Sequence, residues 1–114
     1  MVFEELSVIS LTYEAYKKLL TINTVIDKKY RHTLGEPACK NCGELLRYLI
    51  LAKHAPKQLK ASYIIQADSH AELLALNIRA MLELKLTNET NLLKLQAKLT
   101  EARRQLGGWR KSIS

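Results

Sequence analysis

Residues 28–35, Lys28-Lys29-Tyr30-Arg31-His32-Thr33-Leu34-Gly35, form the corner on which the reading of the whole chain turns. Before it, Ala15, Leu19, Ile22 and Ile26 recur at spacings of four, three and four, the period of one helix face. After it, Ala38, Cys42, Leu45, Leu49 and Ala52 repeat the pattern. Thr33 and Glu36 stand at capping-box spacing, so the threonine oxygen is expected to accept from an early amide while the carboxylate reaches back to the cap. Pro37 then falls in the first turn of the new helix, where its missing N–H leaves nothing unpaired. The corner therefore ends one helix and starts the next. It also gathers Lys28, Lys29, Arg31 and His32 beside the ring of Tyr30.

Working outward, the first helix is predicted from about Ser7 or Ser10 to Lys28, with Phe3 and Leu6 as an apolar lead-in and Tyr13 and Tyr16 at the edge of its stripe. The second runs from about Gly35 to His54 and stops before Pro56, because the residue preceding proline is driven out of helical geometry. The third spans about Lys57 to Leu84 on the stripe Ile64, Ala67, Ala71, Leu74, Ile78 and Met81, with His70 and Asn77 flanking it as hydrogen-bonding groups. Thr87 or Asn88 caps the fourth, whose seam is Leu92, Leu95, Leu99, Ala102, Leu106, Trp109 and Ile113. Gly107-Gly108 interrupts that seam at about 1 kcal/mol per glycine relative to alanine. Either the helix ends there and Trp109 folds back as a plug, or another backbone or ligand approaches closely. Four amphipathic helices on short turns predict an all-α, antiparallel up-down-up-down bundle in a single domain, residues 1–114. Leu73, Leu76, Ala80 and Leu82 lie off the third stripe, and this apolar excess points to a homo-oligomer interface.

With 114 residues the chain is large enough for one core. The longest apolar run is far too short to span a membrane. Glu4 and Glu5 stand where a secretion signal wants lysine, so a soluble cytoplasmic protein is expected. The net charge of +7 is unevenly spread. Residues 28–60 carry eight Lys or Arg against two acids and residues 85–114 carry seven against two, whereas 1–27 and 61–84 are net acidic.

Catalytic chemistry finds little support. Cys39 and Cys42 have metal-pair spacing, with His32 and His54 available to complete a set, but Cys42 falls on the core stripe, so no metal and no cofactor are expected. Arg47 and His54, seven apart on one helix face, fit loosely the pattern of HEPN-type ribonucleases and provide the alternative reading, an RNA-cleaving bundle or toxin. No phosphate-binding glycine loop, Ser/His/Asp arrangement or carboxylate cluster is present in the sequence. The leading reading is a non-enzymatic nucleic-acid binder. In the bundle, the carboxyl ends of the second and fourth helices share one end, bringing Lys53, Lys57 and Lys60 together with Arg103, Arg104, Arg110 and Lys111. Helix dipoles favour cations there, but seven exceed what two ends need. Lys28, Lys29 and Arg31 mark the opposite end, and Tyr30 and Trp109 offer rings for an unpaired base. Arg103 and Arg104 point about 100° apart, and Glu101 is too close in sequence to face either across a turn. At least one of these guanidiniums is therefore expected to face outward unpaired, as is Arg31.

The corner run K-Y-R-H-T-L-G resembles the same corner in the accessory variability determinant (Avd) proteins of diversity-generating retroelements. These belong with a wider four-helix-bundle family that includes proteins encoded in intervening sequences of bacterial 23S ribosomal RNA genes. A second match is R-Q-L-G-G-W-R-K-S, Arg104 to Ser112, and a weaker third is the leucine-rich segment around Arg79. The resemblance implies a homopentameric barrel with a basic exterior. Such a barrel would bind a reverse transcriptase and its template RNA, with the cDNA made from it, and support adenine-mutagenising reverse transcription and retrohoming.

Overall fold

The computed structural model describes the backbone of residues 3–113 and the side chains of residues 7–113. Its elements are α1 (Phe3–Val25), a single turn α2 (Lys28–Tyr30), a π-helical turn (Arg31–Gly35), α3 (Glu36–His54), α4 (Lys57–Glu83) and α5 (Glu89–Ile113). No strand occurs among the described residues. The four long helices pack α1 on α3, α3 on α4, α4 on α5 and α5 on α1, so each has two neighbours and one diagonal partner. Short links make successive helices antiparallel. The extents of 43 × 22 × 19 Å match bundled helices of this length, which rise about 1.5 Å per residue.

The apolar stripes converge as their spacing requires. Leu19, Leu45, Leu49, Ile64, Leu74, Ile78, Leu92 and Leu95 are fully buried in one core cluster. Thr12 is buried among them because its hydroxyl donates to Val8 O at 2.8 Å. Phe3 and Leu6 belong to α1 by backbone; their side chains lie outside the described residues.

The corner differs from its sequence reading. The first helix ends at Val25, before Lys28, and the next helical segment starts at Lys28, well before Gly35. The cap is Asp27, whose Oδ1 accepts from Lys29 N at 2.9 Å, and the Thr33–Glu36 capping box does not form. Asp27 wins because a carboxylate is a strong N-cap, and it breaks the chain before Thr33 is reached. Pro37 explains the π turn: it offers no N–H to Thr33 O, and its ring crowds that carbonyl. The ladder widens instead to an i→i−5 bond from Glu36 N to Arg31 O.

Gly35 is buried against α1, where an added Cβ would overlap Asn23 Oδ1 and stand 3.0 Å from Ile26 Cδ1. Asn23 Oδ1 is itself buried without a hydrogen-bond partner. Gly35→Ala is expected to cost about 1–3 kcal/mol in urea unfolding. Asn23→Ala in the same chain is expected to recover most of that, since it removes both the overlap and an unsatisfied oxygen. Full cost in the double variant would show that Gly35 is required for another reason.

The other boundaries lie close to expectation. α3 stops at His54, with Ala55 extended before Pro56. α4 closes in a paired turn: Lys85 N donates to Leu82 O at 3.2 Å and Leu86 N to Met81 O at 3.1 Å, with Lys85 at φ 55. Asn88 Oδ1 accepts from Asn91 N at 3.0 Å and starts α5. That helix continues through Gly107 and Gly108 to Ile113, so Trp109 is no folded-back plug but the next member of the seam, 1% exposed.

Candidate nucleic-acid interface

The expected basic end exists, but its cations divide into two kinds. Lys60 Nζ donates to Ala52 O at 2.7 Å and Lys53 O at 3.0 Å, closing the carboxyl end of α3. Arg31, at the opposite end, reaches back to Thr24 O and Ile26 O, both at 3.3 Å, and covers the carbonyls where α1 stops. Arg31 is therefore a helix-end cap, contrary to its expected outward, unpaired role. Both members of the Arg103–Arg104 pair are engaged as well. Arg103 Nε lies 3.7 Å from Asp68 Oδ1 on α4, and Arg104 grips Glu101 through Nε at 2.9 Å and a second guanidinium nitrogen at 2.5 Å. Residues three apart on a helix do face one another, so Glu101 is within reach of Arg104, contrary to the expectation from sequence distance.

That grip moves a titration. The hydrogen bond from Arg104, then that from Gln105 at 3.1 Å, lowers the Glu101 carboxyl from the usual 4.5 to about 2. A carboxyl depressed in the folded state stabilises above its unfolded pKa. That contribution fades as pH falls from about 4.5 toward about 2. Arg104→Gln is expected to return Glu101 most of the way to the ordinary carboxylate range, read as an NMR titration. A midpoint still near 2 would assign the shift to Gln105 alone.

Five further cations of this set, the second kind, make no ion pair among the described residues: Lys28, Lys29, Lys57 and Arg110, which are exposed, and Lys53, which is half-exposed. Lys111, also exposed, lies beside Arg110 in the last turn of α5. Helix dipoles account for Lys53 and Arg110, which sit in last turns. They do not account for Lys57, the first residue of α4, or for Lys28 and Lys29, which directly follow the Asp27 cap. There the positive end of the helix opposes a cation.

Neither proposed stacking ring stands free. Trp109 is sealed in the core, and Tyr30 is half-buried against it. Tyr48 packs instead in the α3/α4 groove, with Arg47 5.6 Å above its ring, His70 stacked at 5.5 Å and Tyr63 at 6.4 Å. Asn77 makes the expected hydrogen bond, accepting from Asn41 Nδ2 at 2.8 Å. Arg47 is also held by Glu44 at 3.3 Å, while His54 is exposed two turns along α3.

Cys42 is a core residue, and Cys39 is half-buried against the core. Cys39 Sγ donates to Leu19 O at 3.8 Å and Cys42 Sγ to Thr12 O at 3.9 Å. Burial pushes the Cys42 thiol up to about 12, and burial followed by the Glu36 charge raises Cys39. No cluster among the described residues has the donors to hold a metal ion.

Two arrangements were missed from sequence. Lys18 and Lys98, eighty positions apart, line one solvent-open depression between α1 and α5. Exposed apolar side chains also occupy two opposite edges: Tyr13, Leu20 and Ile50 along α1/α3, and Ile65, Leu73, Leu76 and Leu93 along α4 and α5. Of the expected interface set, Leu73 and Leu76 are half-exposed at 47% and 53%, but Leu82 packs on the core and Ala80 is only partly exposed. Leu82 lies on the α5 side of α4, where it and Leu92 line the same depression. No helix among the described residues is long and apolar enough to cross a membrane.

No family model, curated protein or solved structure matches the chain.

Proposed function

We propose that this chain is a non-enzymatic accessory protein that binds single-stranded RNA, and the cDNA copied from it, through its unpaired cations. The reading rests on Lys28, Lys29 and Lys57, which occupy helix starts where the dipole disfavours them and which make no ion pair among the described residues. A charge held against its own helix is best accounted for by a polyanion outside it. In line with the corner and Arg104–Ser112 resemblances, the partner is a reverse transcriptase of a diversity-generating retroelement, and the process is mutagenic reverse transcription with retrohoming.

The apolar edges favour assembly. In the square of helices, the α1/α3 edge lies opposite the α4/α5 edge. A self-association that joins unlike faces repeats head to tail, and it gives a ring where the rotation between copies closes and an open filament where it does not. The α4/α5 edge includes an open depression of about 410 Å³, with Ala75, Leu93, Ala97 and Thr100 beside the polar Gln96, Glu101 and Arg103, which has room for a side chain from a neighbour. Five subunits follow from the resemblance. Light scattering at tens of micromolar is expected to give a mass several times 13.0 kDa, reduced by Leu76→Glu. A 13.0 kDa particle for the unaltered chain would end the ring reading. A reverse transcriptase gene beside this one, and co-purification of its product with this chain, are the expected results that test the partner. The ribonuclease alternative, with Arg47 beside Glu44 and Tyr48, predicts RNA cleavage by the pure protein that disappears in His54→Ala.

A further inference from the structure

We infer that the α1/α5 groove holds a phosphate clamp formed by Lys18 and Lys98, which grips one backbone phosphate of the bound strand. This rests on the nucleic-acid reading above and assigns it a specific site away from the bundle ends.

The two lysines line one solvent-open depression of about 430 Å³ together with Glu14, Lys17 and Thr21. Both are half-buried, and neither has a hydrogen-bond or ion-pair partner among the described residues. Stem burial alone explains a single lysine, which lays its methylenes on the groove and leaves its ammonium in water. It does not explain two lysines that line one depression from different helices, neither of them in an ion pair, since like charges repel. The nearby carboxylates do not relieve them. Glu14 is 3.0 Å from Lys17 Nζ, which also sits 4.8 Å over the Tyr13 ring, and Glu101 is held by Arg104 and Gln105. Counting Lys17 against Glu14, Lys18 and Lys98 remain as uncompensated charge facing a space with room for an anion. Lys94 stands one turn before Lys98 on the same side of α5, exposed and without an acid, and continues the positive track toward the corner end. A linear array of point cations suits successive phosphates of a nucleic acid.

The test uses the full chain, a single-stranded RNA 20-mer, and tripolyphosphate and polyglutamate as probes. Lys18→Gln/Lys98→Gln is compared with Lys17→Gln, whose ammonium is already paired, after circular dichroism shows all three helical. The double variant is expected to bind RNA about tenfold more weakly near 0.1 M salt, with the log–log salt slope reduced by about 0.7 for each phosphate no longer neutralised. Lys17→Gln is expected to stay within about twofold of the parent, since its charge is already compensated. In NMR titrations of the parent, tripolyphosphate is expected to shift the Lys18 and Lys98 resonances ahead of others. If the parent binds RNA and the double variant matches it in affinity and slope, the clamp is wrong while the nucleic-acid reading stands. If the parent ignores RNA but tripolyphosphate still shifts these resonances, the anion site stands and the nucleic-acid reading falls. A groove that answers polyglutamate and not RNA belongs to an acidic protein partner, which overturns the proposal, as does a groove that answers no probe.

Discussion

Trp109→Ala is expected to destabilise the chain by about 3–5 kcal/mol, a large part of the total for a domain of this size. The indole is 1% exposed in the α5 seam, and its removal leaves a cavity at the end of the bundle that carries the last turns of α3 and α5. Trp109→Phe is expected to cost far less, because the ring is largely replaced. The indole Nε1 is buried without a partner, so taking away that donor removes no hydrogen bond. Urea unfolding gives both values. The pair also decides between two roles for this residue. A base-stacking tryptophan would lose RNA affinity on truncation at unchanged stability, and that result would contradict the buried placement.

Reversing Lys28, Lys29 and Lys57 to glutamate is expected to separate stability from binding. Each new carboxylate would stand at a helix start, where a negative charge is favoured by about 0.3–1 kcal/mol, so thermal stability is expected to hold or rise. Affinity for single-stranded RNA is expected to fall about 100-fold at moderate salt, with the salt slope flattened by about 0.7 for each phosphate left without its cation. The same experiment on Arg31 would mislead. Arg31→Glu removes the guanidinium that covers Thr24 O and Ile26 O, so weaker binding there would follow from a damaged corner. Unchanged affinity and slope in the Lys28, Lys29 and Lys57 triple variant would mean that these cations serve some other partner.

The corner resemblance changes its meaning in this light. Two of its residues serve the fold: Arg31 finishes α1, and Gly35 gives Asn23 room. Lys28 and Lys29, just ahead of and at the start of the matched run, are exposed and make no ion pair among the described residues, while His32 is exposed beside Glu36 at 3.1 Å.

What the amino-acid sequence determined by itself is whatever repeats locally. The stripes from Ala15 to Ile26, Ala38 to Ala52, Ile64 to Met81 and Leu92 to Trp109 are all buried as their spacing demands, because a 3.6-residue period places them on one face whatever lies opposite. The stop before Pro56 and the start at Asn88 were equally local. The tertiary structure alone decided partners. Whether Arg103 is free depends on Asp68 arriving from another helix at 3.7 Å, and whether Arg31 is free depends on where α1 ends. Lys18 and Lys98 are eighty residues apart, and only the rotation and register of α1 against α5 bring them to one groove. Side-chain partnership across helices is set by those rigid-body variables. No short window of sequence contains them, so the core was legible from the chain and the charged surface was not.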